Sequence, residues 1–205
     1  MNIEVNAQSS IKLNLDKVIY FDPYLIKNSS CDADYVFITH SHYDHYSFDD
    51  ILKVMNSNTK FIVPNSVYLD LKDRFKNEII VVEPGKNYLV DNMSVLCTYA
   101  YNINKPYHKK SDLFVGYVVD VDGVKYFVAG DTDNVDELSD IVCDYAFVPI
   151  GGTYTMDYVE ASDLINKIKP KYTIPIHYKT IVGSDEDVKK FSDRVEKVIN
   201  VCIKF

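Results

Sequence analysis

Apolar residues recur along this chain in short runs, most of them closed by a polar residue or a turn signal. Val18-Ile19-Tyr20-Phe21, Tyr35-Val36-Phe37-Ile38, Phe61-Ile62-Val63, Ile79-Ile80-Val81-Val82, Tyr145–Pro149 and Thr173–Ile176 are of this kind. They are short and rich in β-branched and aromatic residues, which predicts buried strands. Two hairpins are marked, one turning at Asp91-Asn92 and one at Asp122-Gly123 between Phe114–Val121 and Val124–Val128. Helices are predicted where a capping residue precedes apolar positions at helical spacing. Ser47-x-x-Asp50 leads into Ile51, Leu52 and Met55. Asp157-x-x-Glu160 leads into Ala161, Leu164, Ile165 and Ile168, with Pro170 as the stop. Ser184-x-x-Asp187 opens a third helix, with Val188, Phe191, Val195 and Val198 on one face. No linker or low-complexity segment interrupts the alternation. The expectation is one compact α/β (α+β) domain over residues 1–205, sheets inside and helices outside.

The polar residues that close these runs carry the chemistry. Asp22 follows Val18–Phe21, His40 follows Tyr35–Ile38, Asp131 follows Tyr126–Ala129, and His177 follows Thr173–Ile176. Strands in facing sheets bring such ends to one edge, the convergence a metal centre needs. The densest signal is Thr39-His40-Ser41-His42-Tyr43-Asp44-His45, four donors within six residues. Imidazole and carboxylate at that density suit Zn²⁺, Fe²⁺ or Mn²⁺. A lone histidine is more often packed than ligating, but three interleaved with an aspartate are a different case.

Thr39–His45 matches the H-x-H-x-D-H signature, and on these residues the chain resembles the metallo-β-lactamase superfamily of metal-dependent hydrolases. The other family motifs follow in order: Phe21-Asp22-Pro23, His108 placed 23 positions before Asp131, Ala129-Gly130-Asp131-Thr132, and Pro175-Ile176-His177-Tyr178. The lack of large insertions looks most like the small, minimal branch similar to ascorbate-6-phosphate lactonase-like proteins. The resemblance implies a four-layer αββα sandwich with mixed sheets inside and helices outside. It also implies two divalent metal ions, zinc first, with manganese or iron as alternatives. His40, His42 and His108 would hold the first metal, and Asp44, His45 and His177 the second, with Asp131 bridging both. Asp22 would brace the ligand loop rather than bind metal. His108 lies in Lys105-Pro106-Tyr107-His108-Lys109, outside the glycine-threonine setting often found around that ligand, on a polar loop expected to be mobile.

Two adjacent metals would share one water, lower its pKa and supply hydroxide to a carbonyl carbon or phosphorus. Asp44 and Asp131 are the candidate catalytic groups, orienting the nucleophile and taking its proton. The expected reaction is cleavage of a small ester, lactone or phosphodiester. Two other roles compete: a nuclease or RNA-processing hydrolase, and an iron-dependent, non-hydrolytic oxidoreductase on the same fold.

Composition narrows the partners. With 205 residues, 47% of them hydrophobic, the chain can bury a full core, and its net charge of −8 argues against a broad nucleic-acid footprint. The substrate expected is a small molecule, anionic if Lys105, Lys109 and Lys110 around His108 engage it. Seventeen tyrosines and no tryptophan leave Tyr154 and Tyr178, with Thr155 and Lys109, as candidate substrate contacts near predicted ligands. The segment Gly151-Gly152-Thr153-Tyr154-Thr155 offers backbone N–H groups ahead of a predicted helix. The four cysteines are far apart and read as reduced, mostly buried thiols. Met1–Asn6 has no basic or long apolar stretch, so the expected location is the cytoplasm, without a membrane span. A homo-oligomer is compatible with all of this.

Overall fold

The computed structural model describes residues 2–204; Met1 and Phe205, the ends of the expected domain, lie outside the described residues. The chain divides into two compact units, one reaching to Val82 and the other formed by Glu83–Lys204.

The first unit is built on a mixed sheet of six strands in sequence order. β1 (Asn2–Val5), β2 (Ile11–Asn14) and β3 (Val18–Phe21) form an antiparallel meander. β4 (Tyr35–Phe37), β5 (Lys60–Pro64) and β6 (Ile79–Val82) then add in parallel. Parallel strands need crossover connections, and α1 (Phe48–Val54) and α2 (Asn65–Arg74) supply two of them. Ile51 and Val54 of α1 and Val67 and Leu71 of α2 share one core with Tyr20, Val36, Ile38, Phe61 and Val63. Ser47 caps α1 through the Asp50 N–H at 3.4 Å, but the Asp50 carboxylate does not close a box. It accepts the N–H groups of Leu25 and Ile26 at 2.9 and 3.0 Å, tying the β3–β4 connection to the helix. α2 went unpredicted because Pro64 stands at its cap with no side-chain acceptor.

The second unit holds a mixed sheet of seven strands. β7 (Asn87–Val90), β8 (Met93–Tyr99), β9 (Val115–Val121) and β10 (Val124–Val128) are an antiparallel meander containing both predicted hairpins. β11 (Tyr145–Pro149), β12 (Tyr172–Ile176) and β13 (Asn200–Val201) continue in parallel, with α3 (Tyr158–Ile168) and α4 (Asp185–Arg194) as crossovers. The predicted box at α3 is complete: Asp157 accepts from Val159 and Glu160 N–H groups at 2.8 and 2.9 Å, and Glu160 accepts the Asp157 N–H at 3.1 Å. Val188, Phe191 and Val195 are buried as expected, but Val198 is 75% exposed. α4 ends at Arg194, so Val198 lies beyond the helix and its periodicity no longer applies.

Within each sheet, strand direction determines what shares an edge. β3 and β4 run parallel, so Asp22 and Thr39-His40 leave the first sheet side by side. β8 and β10 are each antiparallel to β9 and hence parallel to one another, and β11 and β12 follow β10. The loop carrying His108, the Gly130-Asp131 turn, Gly151 and His177 therefore all emerge from the carboxyl ends of one sheet, where ligands bind in open α/β sheets. Among the described residues, no helix is long and apolar enough to cross a membrane. All four cysteines are free; Cys97 is buried, whereas Cys31 is exposed and corrects the expectation of mostly buried thiols.

Candidate metal centre

In the first unit the donor loop is a tight turn. The N–H groups of His45 and Tyr46 both bond to the His42 carbonyl, at 3.0 and 2.8 Å. This turn gathers the rings: His40 lies 4.7 Å from His42 and 4.0 Å from His45, centroid to centroid. His40 Nε2 and His42 Nδ1 are 3.1 Å apart, and His45 Nε2 is 3.6 Å from Asp44 Oδ2.

Asp22 braces this loop from the end of β3, in a left-handed backbone conformation with φ 43°. Its carboxylate accepts the Thr39 N–H and hydroxyl and holds His45 Nδ1, each at 2.7 Å. Burial pushes the Asp22 carboxyl up from its ordinary pKa, while His45 and Thr39 pull it down. Because the Thr39 hydroxyl donates to Asp22, its oxygen is left to accept from His40 Nδ1, 2.9 Å away. Nδ1 of His40 and of His45 is thus committed, and in each ring the Nε2 lone pair is presented to the donor cluster. Gln8, buried in the β1–β2 turn, reaches Asp44 Oδ2 at 3.3 Å.

In the second unit, Asp131 follows Gly130, whose φ of 68° permits the sharp turn after β10. Two imidazoles face its carboxylate: His177 Nε2 at 3.2 Å and His108 Nε2 at 3.5 Å from Oδ2. His177 also takes a left-handed conformation, φ 53°. Its carbonyl packs on Gly151 so closely that a Cβ there would overlap it. His108 is 1% exposed, and its Nδ1 lies 3.0 Å from Asn102 Oδ1 and 3.2 Å from the Tyr154 carbonyl. Both partners are acceptors, so Nδ1 carries the proton and Nε2 the lone pair.

The donor set fits divalent metal. Ligands about 2.0–2.1 Å from a tetrahedral zinc lie about 3.3 Å from one another. The donor pairs within each unit, at 3.1, 3.6, 3.2 and 3.5 Å, fall around that value. Nitrogen and oxygen donors without thiolate also suit manganese and iron.

The proposed substrate contacts are distributed differently. Thr155 and Tyr178 are fully buried, so neither side chain presents surface to solvent. The Thr155 hydroxyl donates to the Met156 carbonyl at 3.2 Å. Tyr154 is half-buried, edge-on to Tyr107 at 4.6 Å, and its carbonyl rather than its phenol faces His108. Lys109 is exposed, with its backbone N–H on Asp112 at 2.9 Å. Sequence reasoning missed Thr39, Asn102, Asp133 and Gln8. Thr39 adjoins the histidine cluster, and Asp133 lies two positions past Asp131; Asn102 and Gln8 carry no comparable signal.

Comparison with known proteins establishes the family. The model of the β-lactamase superfamily domain matches residues 7–177 in one stretch, and the chain belongs to that family. A Staphylococcus aureus protein named as a UPF0173 metal-dependent hydrolase is 28% identical over 215 residues, covering 95% of this chain and 93% of that protein. A candidate metal-dependent hydrolase from Parabacteroides distasonis superposes with TM-score 0.84 at 26% identity, covering 98% of this chain and 91% of its own. A candidate zinc-dependent hydrolase of the metallo-β-lactamase superfamily from Thermotoga maritima gives TM-score 0.63 at 22% identity, with 98% and 96% covered. The two mixed sheets and four helices are those of the metallo-β-lactamase fold.

Proposed function

We propose that the chain is a metal-dependent hydrolase acting on a small ester, lactone or phosphodiester, with two divalent ions, zinc first, as its cofactors. The proposed ligands are His40, His42, Asp44, His45, His108, Asp131 and His177. The observation that carries this reading is the commitment of Nδ1 in three imidazoles. His45 is held by Asp22, His40 by Thr39, and His108 by Asn102 and the Tyr154 carbonyl, which places the proton on Nδ1 and the lone pair on Nε2, the atom that faces the neighbouring donors. Relatives named as metal-dependent hydrolases over nearly the full length support it.

Bound there, divalent ions lower the pKa of water and stabilise developing negative charge. Asp44 and Asp131 are the carboxylates that orient the attacking water and accept its proton. No thiol competes as nucleophile at the cysteines whose environment is clearest: burial pushes Cys97 and Cys143 up to about 12. The net charge of −8 argues against a broad nucleic-acid footprint and so favours a small-molecule substrate.

The test is metal content per chain after purification without added metal, together with turnover of aryl phosphodiester, ester and lactone probes. About two zinc or manganese ions and chelator-sensitive hydrolysis are expected, with His42→Ala abolishing turnover. A single iron with oxygen uptake, or wild-type turnover in His42→Ala, overturns the reading.

A further inference from the structure

Asp133 is 2% exposed, lies two residues past Asp131, and has no place in the ligand set. Its carboxylate gathers the loop that carries His108. Oδ1 accepts from Asn102 Nδ2 at 3.0 Å and from Lys105 Nζ at 2.5 Å, and Oδ2 accepts the Ile103 N–H at 2.8 Å. The Asp133 N–H bonds back to the Tyr101 carbonyl at 2.9 Å. Asn102 carries the hold onward. Its Nδ2 also donates to the Tyr154 carbonyl at 2.9 Å, and its Oδ1 accepts the His108 N–H at 3.1 Å and faces His108 Nδ1 at 3.0 Å. The Asn102 N–H to His108 carbonyl bond, 2.7 Å, closes the loop. Lys105 ties this assembly to α3 through Glu160 at 3.5 Å.

We infer that Asp133 and Asn102 are positioning residues: together they lock the His108 ring in its Nδ1–H tautomer and fix its Nε2 over Asp131. The chemistry argues for it. A primary amide fixed by two acceptors on its Nδ2 cannot flip, so Oδ1 must face the histidine. A buried carboxylate with three donors, one an ammonium, is rigid as well as compensated. Because Asp133 and Asp131 share one short turn, the same anchor sets the His108 loop and the carboxylate it faces in common register. An otherwise polar loop thereby becomes a pre-organised ligand.

This inference rests on the metal-hydrolase reading and is tested by metal titration of the metal-free protein with a chromophoric chelator in competition, beside ¹⁵N spectroscopy of the histidine side chains. Asn102→Ala and Asp133→Ala are expected to weaken one of two zinc sites about 10–100-fold, the range typical when the partner of a ligating histidine is lost. The other site keeps its affinity, and Asp133→Asn recovers part of the loss. In the metal-free wild type, His108 shows the Nδ1–H tautomer, and Asn102→Ala abolishes it. Retention of both sites at wild-type affinity, or equal weakening of both, overturns the inference. If the wild type takes up no zinc, the hydrolase reading fails, while the tautomer of metal-free His108 still decides whether Asn102 and Asp133 hold the ring.

Discussion

Asp22 combines full burial, a left-handed backbone and three short hydrogen bonds to the donor loop. Non-glycine residues in that conformation are uncommon, and aspartate and asparagine tolerate it best. Asp22→Asn should therefore keep the backbone while removing the charge and one acceptor. The variant is expected to lose about 1–3 kcal/mol of stability, from a buried donor left without its partner. Urea denaturation of the metal-free protein measures this directly, and an unchanged midpoint would contradict the bracing role. At this scale the sequence was informative wherever donors cluster along the chain, as at His40–His45. It was blind to Asn102 and Asp133, because a side chain acting through another is recognised only by its neighbour.

α1 illustrates how an element answers to more than its own pattern. Ser47 and Asp50 read as a capping box, yet Asp50 serves the loop before the helix. Burial disfavours its charge, but hydrogen bonds from Lys53, Ser47 and the N–H groups of Ile26 and Leu25 outweigh that and hold its carboxyl below the ordinary 3.8. A carboxyl depressed in the folded state contributes stability that is complete above the unfolded value and lost as pH falls through the folded one. Asp50→Asn should thus be less stable than wild type by about 1–3 kcal/mol at neutral pH. The gap should narrow as pH falls below 3.8, and a gap that stays constant down to the acid transition would refute the assignment. The ends of β11 and β12 give a second case. Gly151 has no room for a Cβ against the His177 carbonyl and Val182. Gly151→Ala should cost about 1–3 kcal/mol of strain and displace His177, read as lowered melting temperature with reduced metal uptake. Normal metal content in that variant would show the contact to be dispensable.

For the whole molecule, the proposed metal binding would be linked to stability, because donors from segments as distant as His108 and His177 meet at Asp131 only in the folded chain. Free metal at about 100 times its dissociation constant adds about 2.7 kcal/mol. A strong chelator should therefore lower the thermal midpoint of the protein as purified, and excess zinc should restore it. A midpoint indifferent to both would argue against a metal bound by the folded protein.

Local features are legible in neighbouring residues: strands β3 to β12, both hairpins, three of the four helices among the described residues and the His40–His45 cluster, whereas β1, β2 and β13 carried no signal that was read. Strand direction, and hence which polar ends share an edge, came only with the tertiary structure, since hydrogen-bonded pairing joins residues far apart in the chain. The same is true of the held imidazole nitrogens. Asp22 reaches His45 across 23 positions, and the Tyr154 carbonyl reaches His108 across 46. No periodicity encodes such contacts. They exist because folding brings acceptors to rings whose ligand role the sequence had already suggested.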